Sequence, residues 1–197
     1  AQRSLKVSLR LISGGFPENV EVVQAELAPD QDWSAALAGV GAVIHCAARV
    51  HVMREQCVDP LAEFRRVNVD GTMQLAKQSA LAGVRRFIYV SSIKVNGEQT
   101  LPGAPFVADQ VLNPEDPYGI SKMEAEQGLR ALARETGMEV VIIRPPLVYG
   151  PGVKANFLTM MRWLWRGTPL PLGAVTGNRR SLVALENLVD FIVTCLD

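Results

Sequence analysis

At 197 residues the chain can build one domain with a sizeable core, and 48% hydrophobic with 20% charged residues is ordinary for a globular protein. Its 20 Lys and Arg balance 20 Asp and Glu, which argues against nucleic acid or another polyanion as the main partner. Cys46, Cys57 and Cys195 fall at no metal-ligand or CxxC spacing and no apolar run approaches a membrane span, so the composition predicts a cytoplasmic protein with no membrane partner and no metal.

Nothing at Ala1 to Leu11 resembles a signal peptide. Short β-rich runs then alternate with helical patterns, the rhythm of a parallel sheet built from βαβ units. Val7 to Ile12 is a strand closed by Ser13-Gly14-Gly15-Phe16-Pro17, and Val20 to Gln24 is a second strand. Asp32 to Leu37 reads as a short helix, and Ala42 to Cys46 as a buried strand. A long helix is predicted from Asp59 to about Leu81, with Gly83 closing it. Phe87 to Val90 is a buried strand that ends in Ser91-Ser92. The Gly- and Pro-rich stretch from Asn96 to Pro117 reads as a functional surface excursion. Asp116 then caps a helix with Pro117 at its first position, carrying Tyr118 to about Glu135. Val140 to Ile143 is a further strand, stopped by Arg144-Pro145-Pro146. Beyond Gly152 come an apolar helix, Phe157 to Trp165, a short strand near Leu182 and a helix from Glu186. Met160, Met161, Trp163 and Trp165 are expected in the core of this smaller region, with a lid role as the alternative. His45 and His51 have no third ligand at a useful spacing and read as a core and a loop histidine.

The chemistry concentrates in Tyr118-Gly119-Ile120-Ser121-Lys122, with Ser92 upstream at a strand end. Tyr118 and Lys122 stand at i and i+4, on one helix face. A free phenol ionises near pH 10, and lowering that by about three units takes roughly 4 kcal/mol of preferential stabilisation of the anion. A neighbouring ammonium, the positive end of the helix and an oxidised nicotinamide together supply such stabilisation. The phenolate then takes a hydroxyl proton while hydride leaves the same carbon, and a serine opposite holds the oxygen. Alone, Tyr-x-x-x-Lys equally fits a surface pair on an exposed helix.

These segments together resemble the extended short-chain dehydrogenases/reductases, the NAD-dependent epimerase/dehydratase group. Val43-Ile44-His45-Cys46-Ala47-Ala48 is similar to the family's fourth-strand segment, where small residues let the backbone approach the cofactor. Asn68 matches the family's helix asparagine, and Ser92, counted back from Gly97, matches the catalytic serine, with Ser91 its neighbour. Tyr118 and Lys122 match the base and its partner. Asn96 stands where the family usually has tyrosine, a departure expected to bear on the sugar pocket and not on proton transfer. Pro145 lies in the segment that lines the nicotinamide, Asn156 matches a nucleotide-sugar contact, and Arg180 matches the arginine that holds a UDP-sugar diphosphate.

The resemblance implies an α/β fold: a Rossmann-type, doubly wound parallel sheet over residues 1–150 and the start of a substrate lobe over 151–197. No GxGxxG or GxxGxxG occurs, so the first strand and glycine-rich loop of such a sheet are expected to precede Ala1, and the substrate lobe to continue past Asp197. In the order 3-2-1-4-5-6 the first strand is central, so its absence separates two outer strands from the rest. The alternative is that Val7 to Ile12 occupies the central slot. The cofactor is NAD or NADP: Arg10 near the ribose position leans towards NADP, and Glu26 stands where the family often has an adenine-contacting acid. The implied function is a UDP-sugar 4-epimerase-like, NAD(P)-dependent nucleotide-sugar epimerase, homodimeric through the helices Asp59 to Leu81 and Tyr118 to Glu135. The alternatives are an NAD(P)H-dependent 4-keto nucleotide-sugar reductase of surface-polysaccharide synthesis and a non-catalytic NAD(P)-binding protein.

Overall fold

Alternation of short β-branched runs with amphipathic helices produces a parallel α/β architecture in the computed structural model, which describes residues 5–9, 20–50, 59–153, 155–169 and 177–197. Strand β1 (Leu5–Leu9) pairs in parallel with β2 (Val20–Gln24) as a two-stranded sheet. Helix α1 (Ser34–Leu37) leads to β3 (Ala42–His45), which joins β4 (Arg86–Val90) and β5 (Glu139–Ile143) in a three-stranded parallel sheet of order β3-β4-β5. Among the described residues no ladder joins the two sheets. β1 pairs with β2 and does not enter a slot beside β3, which overturns the alternative of a slid strand. It already includes Leu5 and Lys6, ahead of Val7, and Arg10 lies outside the described residues.

The centre of the three-stranded sheet is dry. Phe87, Ile88 and Tyr89 of β4 are fully buried, as a strand flanked by two parallel neighbours and covered by helices requires. Phe87 and Tyr89, two residues apart, face one way. They pack with Leu75 and Ala76, Ala125, Leu129 and Leu132, and Trp33 and Leu37.

The expected long helix after Asp59 is interrupted. Asp59 caps α2 (Pro60–Arg65) by accepting from the Ala62 amide at 3.1 Å, but Arg66–Gly71 form a π-helical turn before α3 (Thr72–Leu81) resumes. Helix α4 (Pro117–Thr136) starts at the predicted cap, Asp116, and ends on Gly137 at φ +74°, a conformation that favours glycine. The Met73 side chain of α3 lies against Gly128 of α4, where a Cβ would come within 2.7 Å of its sulfur, so the missing side chain makes room for the methionine.

The chain divides into two compact units, Ala1–Arg144 with Leu196, and Pro145–Cys195 with Asp197. The second contains the parallel pair β6 (Leu147–Tyr149) and β7 (Leu182–Ala184), with α5 (Ala155–Trp165) and α6 (Leu185–Thr194). Strand β6 was not anticipated, because three residues between prolines and Gly150 carry no alternation. A correction concerns α5: Met161 and Trp163 are exposed and Trp165 is 87% exposed, so they are not core. Apolar character does not enforce burial where no described element covers the face. No helix among the described residues is long and apolar enough to cross a membrane.

Candidate active site

Parallel pairing of β3, β4 and β5 brings their carboxyl ends to one edge, where open α/β sheets bind ligands. Ala47 and Ala48 follow β3, and Ser91 and Ser92 follow β4. Ser92 is extended (φ −154°) and caps a 3₁₀ turn, Ile93–Val95, its Oγ accepting from the Lys94 amide at 3.3 Å. The excursion after it returns the chain to Asp116, whose Oδ1 accepts from the Gly119 amide at 2.6 Å and starts α4. That places Tyr118 in the first helical turn, with Ser92 near enough to ease ionisation of its phenol and the ring of Phe64 meeting it edge-on at 6.2 Å.

Lys122, one turn on, is 1% exposed. Its Nζ donates to the Val90 carbonyl at 2.8 Å and lies 3.9 Å from the Tyr89 ring centroid. Burial pulls the ammonium down to about pKa 7, against the opposing pull of Glu126. Burial pushes the Tyr118 phenol above its ordinary value, Ser92 works against that shift, Asp116 adds to it and Lys94 opposes it. Lys122 is tied to the β4 carbonyl.

Asn68 explains the π-helical turn. It is buried, its amide donates to the Arg49 carbonyl at 3.0 Å and to Ser121 Oγ at 3.0 Å, and its oxygen accepts from the Arg49 amide at 2.7 Å. Ser121 Oγ in turn donates to the Tyr118 carbonyl at 2.8 Å. A relay of short bonds thus runs from the segment after β3 to the backbone of Tyr118. π-Turns of this kind recur at functional sites because the extra residue re-aims a side chain.

The structure therefore brings Asn68, Ser92, Tyr118 and Lys122 together. Ser91 is buried beside them in sequence; its amide donates to the Ile143 carbonyl at 2.7 Å, while its hydroxyl finds no partner among the described residues. Ala47 is exposed and Ala48 half-buried at the same strand edge. Glu26 lies two residues past β2 on the surface. Pro145 follows β5 by two residues and opens the second unit. Asn156 is on α5, its side chain outside the described residues, and Arg180 is exposed just before β7. His45 is buried and bonded to Thr72 Oγ1 at 2.9 Å, while His51 lies outside the described residues.

Four residues escaped sequence reading. Arg144 and Glu126 form a buried pair, Arg144 Nη2 reaching Glu126 Oε2 at 2.6 Å, and Arg144 Nη1 also donates to the Ala108 carbonyl at 2.9 Å. Glu126 stands four residues after Lys122 and eight after Tyr118, which was a readable stripe. Ser121 and Lys94 carry no such signal, since Asn68 and Asp116, the partners that tie them to other segments, stand 53 and 22 residues away. Asn96, at the family's tyrosine position, is buried and donates to the Val107 carbonyl at 3.1 Å, so its amide anchors the excursion.

Residues 5–197 match the NAD dependent epimerase/dehydratase family. A UDP-glucose 4-epimerase of Vibrio cholerae is 57% identical over 166 residues, covering 84% of this chain and 51% of that protein. The chain spans about half the length of the curated relatives it matches. Among solved structures, a dTDP-glucose 4,6-dehydratase from Streptomyces venezuelae with NAD bound superposes at TM-score 0.73 with 28% identity, over 91% of this chain and 55% of that one. A UDP-N-acetylglucosamine 4-epimerase from Methanobrevibacter ruminantium shares the fold at TM-score 0.78 and 22% identity, over 95% and 63%. The parallel sheet, the Ser92, Tyr118 and Lys122 set at its carboxyl edge and the match over residues 5–197 make this chain a member of the NAD dependent epimerase/dehydratase family.

Proposed function

We propose that this chain carries the proton-transfer residues of an NAD(P)-dependent nucleotide-sugar 4-epimerase acting on a UDP-sugar. The observation that carries the reading is the placing of Ser92 at the end of β4 and of Tyr118 in the capped first turn of α4, with Lys122 one turn along the same helix and bonded to the last carbonyl of β4. The identity to a relative named UDP-glucose 4-epimerase supports the substrate class. In this reading Ser92 holds the reacting sugar oxygen and Tyr118 takes its proton and returns it. Asn68 keeps the Tyr118 turn in place through Ser121.

The residues at the sheet edge fit a dinucleotide. Ala47 and Ala48 put only small side chains there, Ser91 has a buried hydroxyl without a partner among the described residues, and Lys122 supplies an ammonium. Ala47, Ala48, Ser91, Tyr118 and Lys122 are assigned to hold it here, and Arg10, Glu26 and Pro145 by family resemblance. When bound, the nicotinamide accepts and returns hydride. The relatives favour NAD, the cofactor bound in the dehydratase structure, over the NADP suggested by Arg10. Asn156 and Arg180 are assigned to the nucleotide-sugar. A homodimer built on α3 and α4 and a cytoplasmic location complete the proposal, the latter supported by the scattered cysteines.

Incubation with UDP-glucose and UDP-N-acetylglucosamine, followed by product separation and absorbance at 340 nm, tests the reading. An epimerase yields the C4 epimer with no net NAD(P)H consumption. Stoichiometric NAD(P)H loss on a 4-keto sugar, without epimer formation, would assign a reductase instead.

A further inference from the structure

Lys94 lies two residues after Ser92 and belongs to no motif singled out in the sequence. Its ammonium bridges two carboxylates, Asp116 Oδ2 at 2.5 Å and Glu98 Oε1 at 2.9 Å. Its own amide is the donor that fixes the Ser92 hydroxyl oxygen, at 3.3 Å. Asp116 is the cap of the Tyr118 helix, with its other oxygen on the Gly119 amide. The two segments also meet at the backbone: a Cβ on Gly119 would stand 3.1 Å from the Lys94 carbonyl oxygen. One side chain therefore joins the turn that carries Ser92 to the cap that sets Tyr118.

Resting on the proposed function, we infer that Lys94 is a positioning residue, which locks the Ser92 turn to the first turn of α4 and neutralises the cap carboxylate beside the Tyr118 phenol. The charges facing that phenol support it. Asp116 opposes ionisation of Tyr118, and Lys94 favours it. Glu98 faces Lys94, Tyr89 lies under Lys122, Glu126 follows one turn later, and Phe64 from α2 contributes only its ring. Without Lys94 the Asp116 charge would act on the phenol uncompensated. Lys94 and Asp116 side chains are 32% and 20% exposed, so substitution there leaves the core intact.

The test is a direct titration of the phenol by NMR of protein labelled with ¹³C at tyrosine Cζ, the Tyr118 signal being assigned by its loss in Tyr118→Phe. Lys94→Met should move the Tyr118 midpoint up by about one pH unit and Asp116→Asn should move it down by a similar amount. Lys94→Arg should restore the native midpoint, and the alkaline-rising limb of kcat should follow the same order. An unchanged midpoint in Lys94→Met, or shifts of the same sign in Lys94→Met and Asp116→Asn, overturns the inference. Retained turnover in Tyr118→Phe would instead overturn the proposed function, and the titration would still judge Lys94.

Discussion

Asn68 illustrates how much one buried amide can organise. It bonds both backbone groups of Arg49 and the Ser121 hydroxyl, so truncation removes three hydrogen bonds made by a buried amide. Asn68→Ala is expected to cost about 1–3 kcal/mol per unsatisfied buried group, read as a lower urea midpoint, together with a fall in kcat at little change in KM. A stability loss with kcat intact would restrict Asn68 to the fold. At this scale the sequence shows a great deal. Ser92 at a strand end and the Tyr118–Lys122 spacing are local patterns, and so is the Asp116-Pro117 helix start. The Lys94–Asp116 pair spans 22 residues of excursion and the Asn68–Ser121 bond spans 53, and no local pattern announces either. The i+4 spacing gives proximity along a helix, but it does not show that the Lys122 ammonium is held by the Val90 carbonyl.

Elements are positioned by the Glu126–Arg144 pair, which ties the middle of α4 to the end of β5. Glu126 is 1% exposed and Arg144 only 11%, so neither charge has water to fall back on. Arg144→Met is expected to destabilise the protein by about 3–5 kcal/mol, because it leaves Glu126 buried and unpaired. The paired variant Glu126→Gln with Arg144→Met should recover part of that loss, as thermal denaturation would show. The same guanidinium holds the Ala108 carbonyl, so the single variant should also raise proteolysis within residues 96–117. The strands and the helix on both sides of this pair were legible from periodicity and capping. The π-turn was not, because it is dictated by bonds from Asn68 to another segment and leaves the apolar spacing of the helix nearly unchanged.

For the whole molecule, the buried face of the β3-β4-β5 sheet sets how stability responds to pH. His45, under the Thr72 hydroxyl, is held near pKa 3 by burial against an ordinary 6.5. Between those values the unfolded chain binds a proton that the native one refuses, so stability falls as pH drops through that window. The loss due to His45 is roughly 2–3 kcal/mol by pH 4.5. His45→Gln should flatten that limb of the urea midpoint against pH; an unaltered slope would show that His45 is not buried in its neutral form. The alternation of strands and helices made the parallel sheet readable, and the separation of β1–β2 from β3–β4–β5 follows the predicted strand order. The exposure of Met161, Trp163 and Trp165 was unreadable, since hydropathy reports what a side chain prefers and not what covers it.

The central claim is that Tyr118, with Ser92 across the site from it, moves the proton. It is tested most directly by Tyr118→Phe, with the native circular dichroism spectrum as a control, assayed for interconversion of UDP-glucose and its C4 epimer. Turnover should fall by at least about 10²-fold, the usual contribution of a positioned acid or base, while bound nucleotide-sugar is retained. Turnover within a few-fold of the native protein would contradict the assignment of Tyr118 and with it the proposed chemistry.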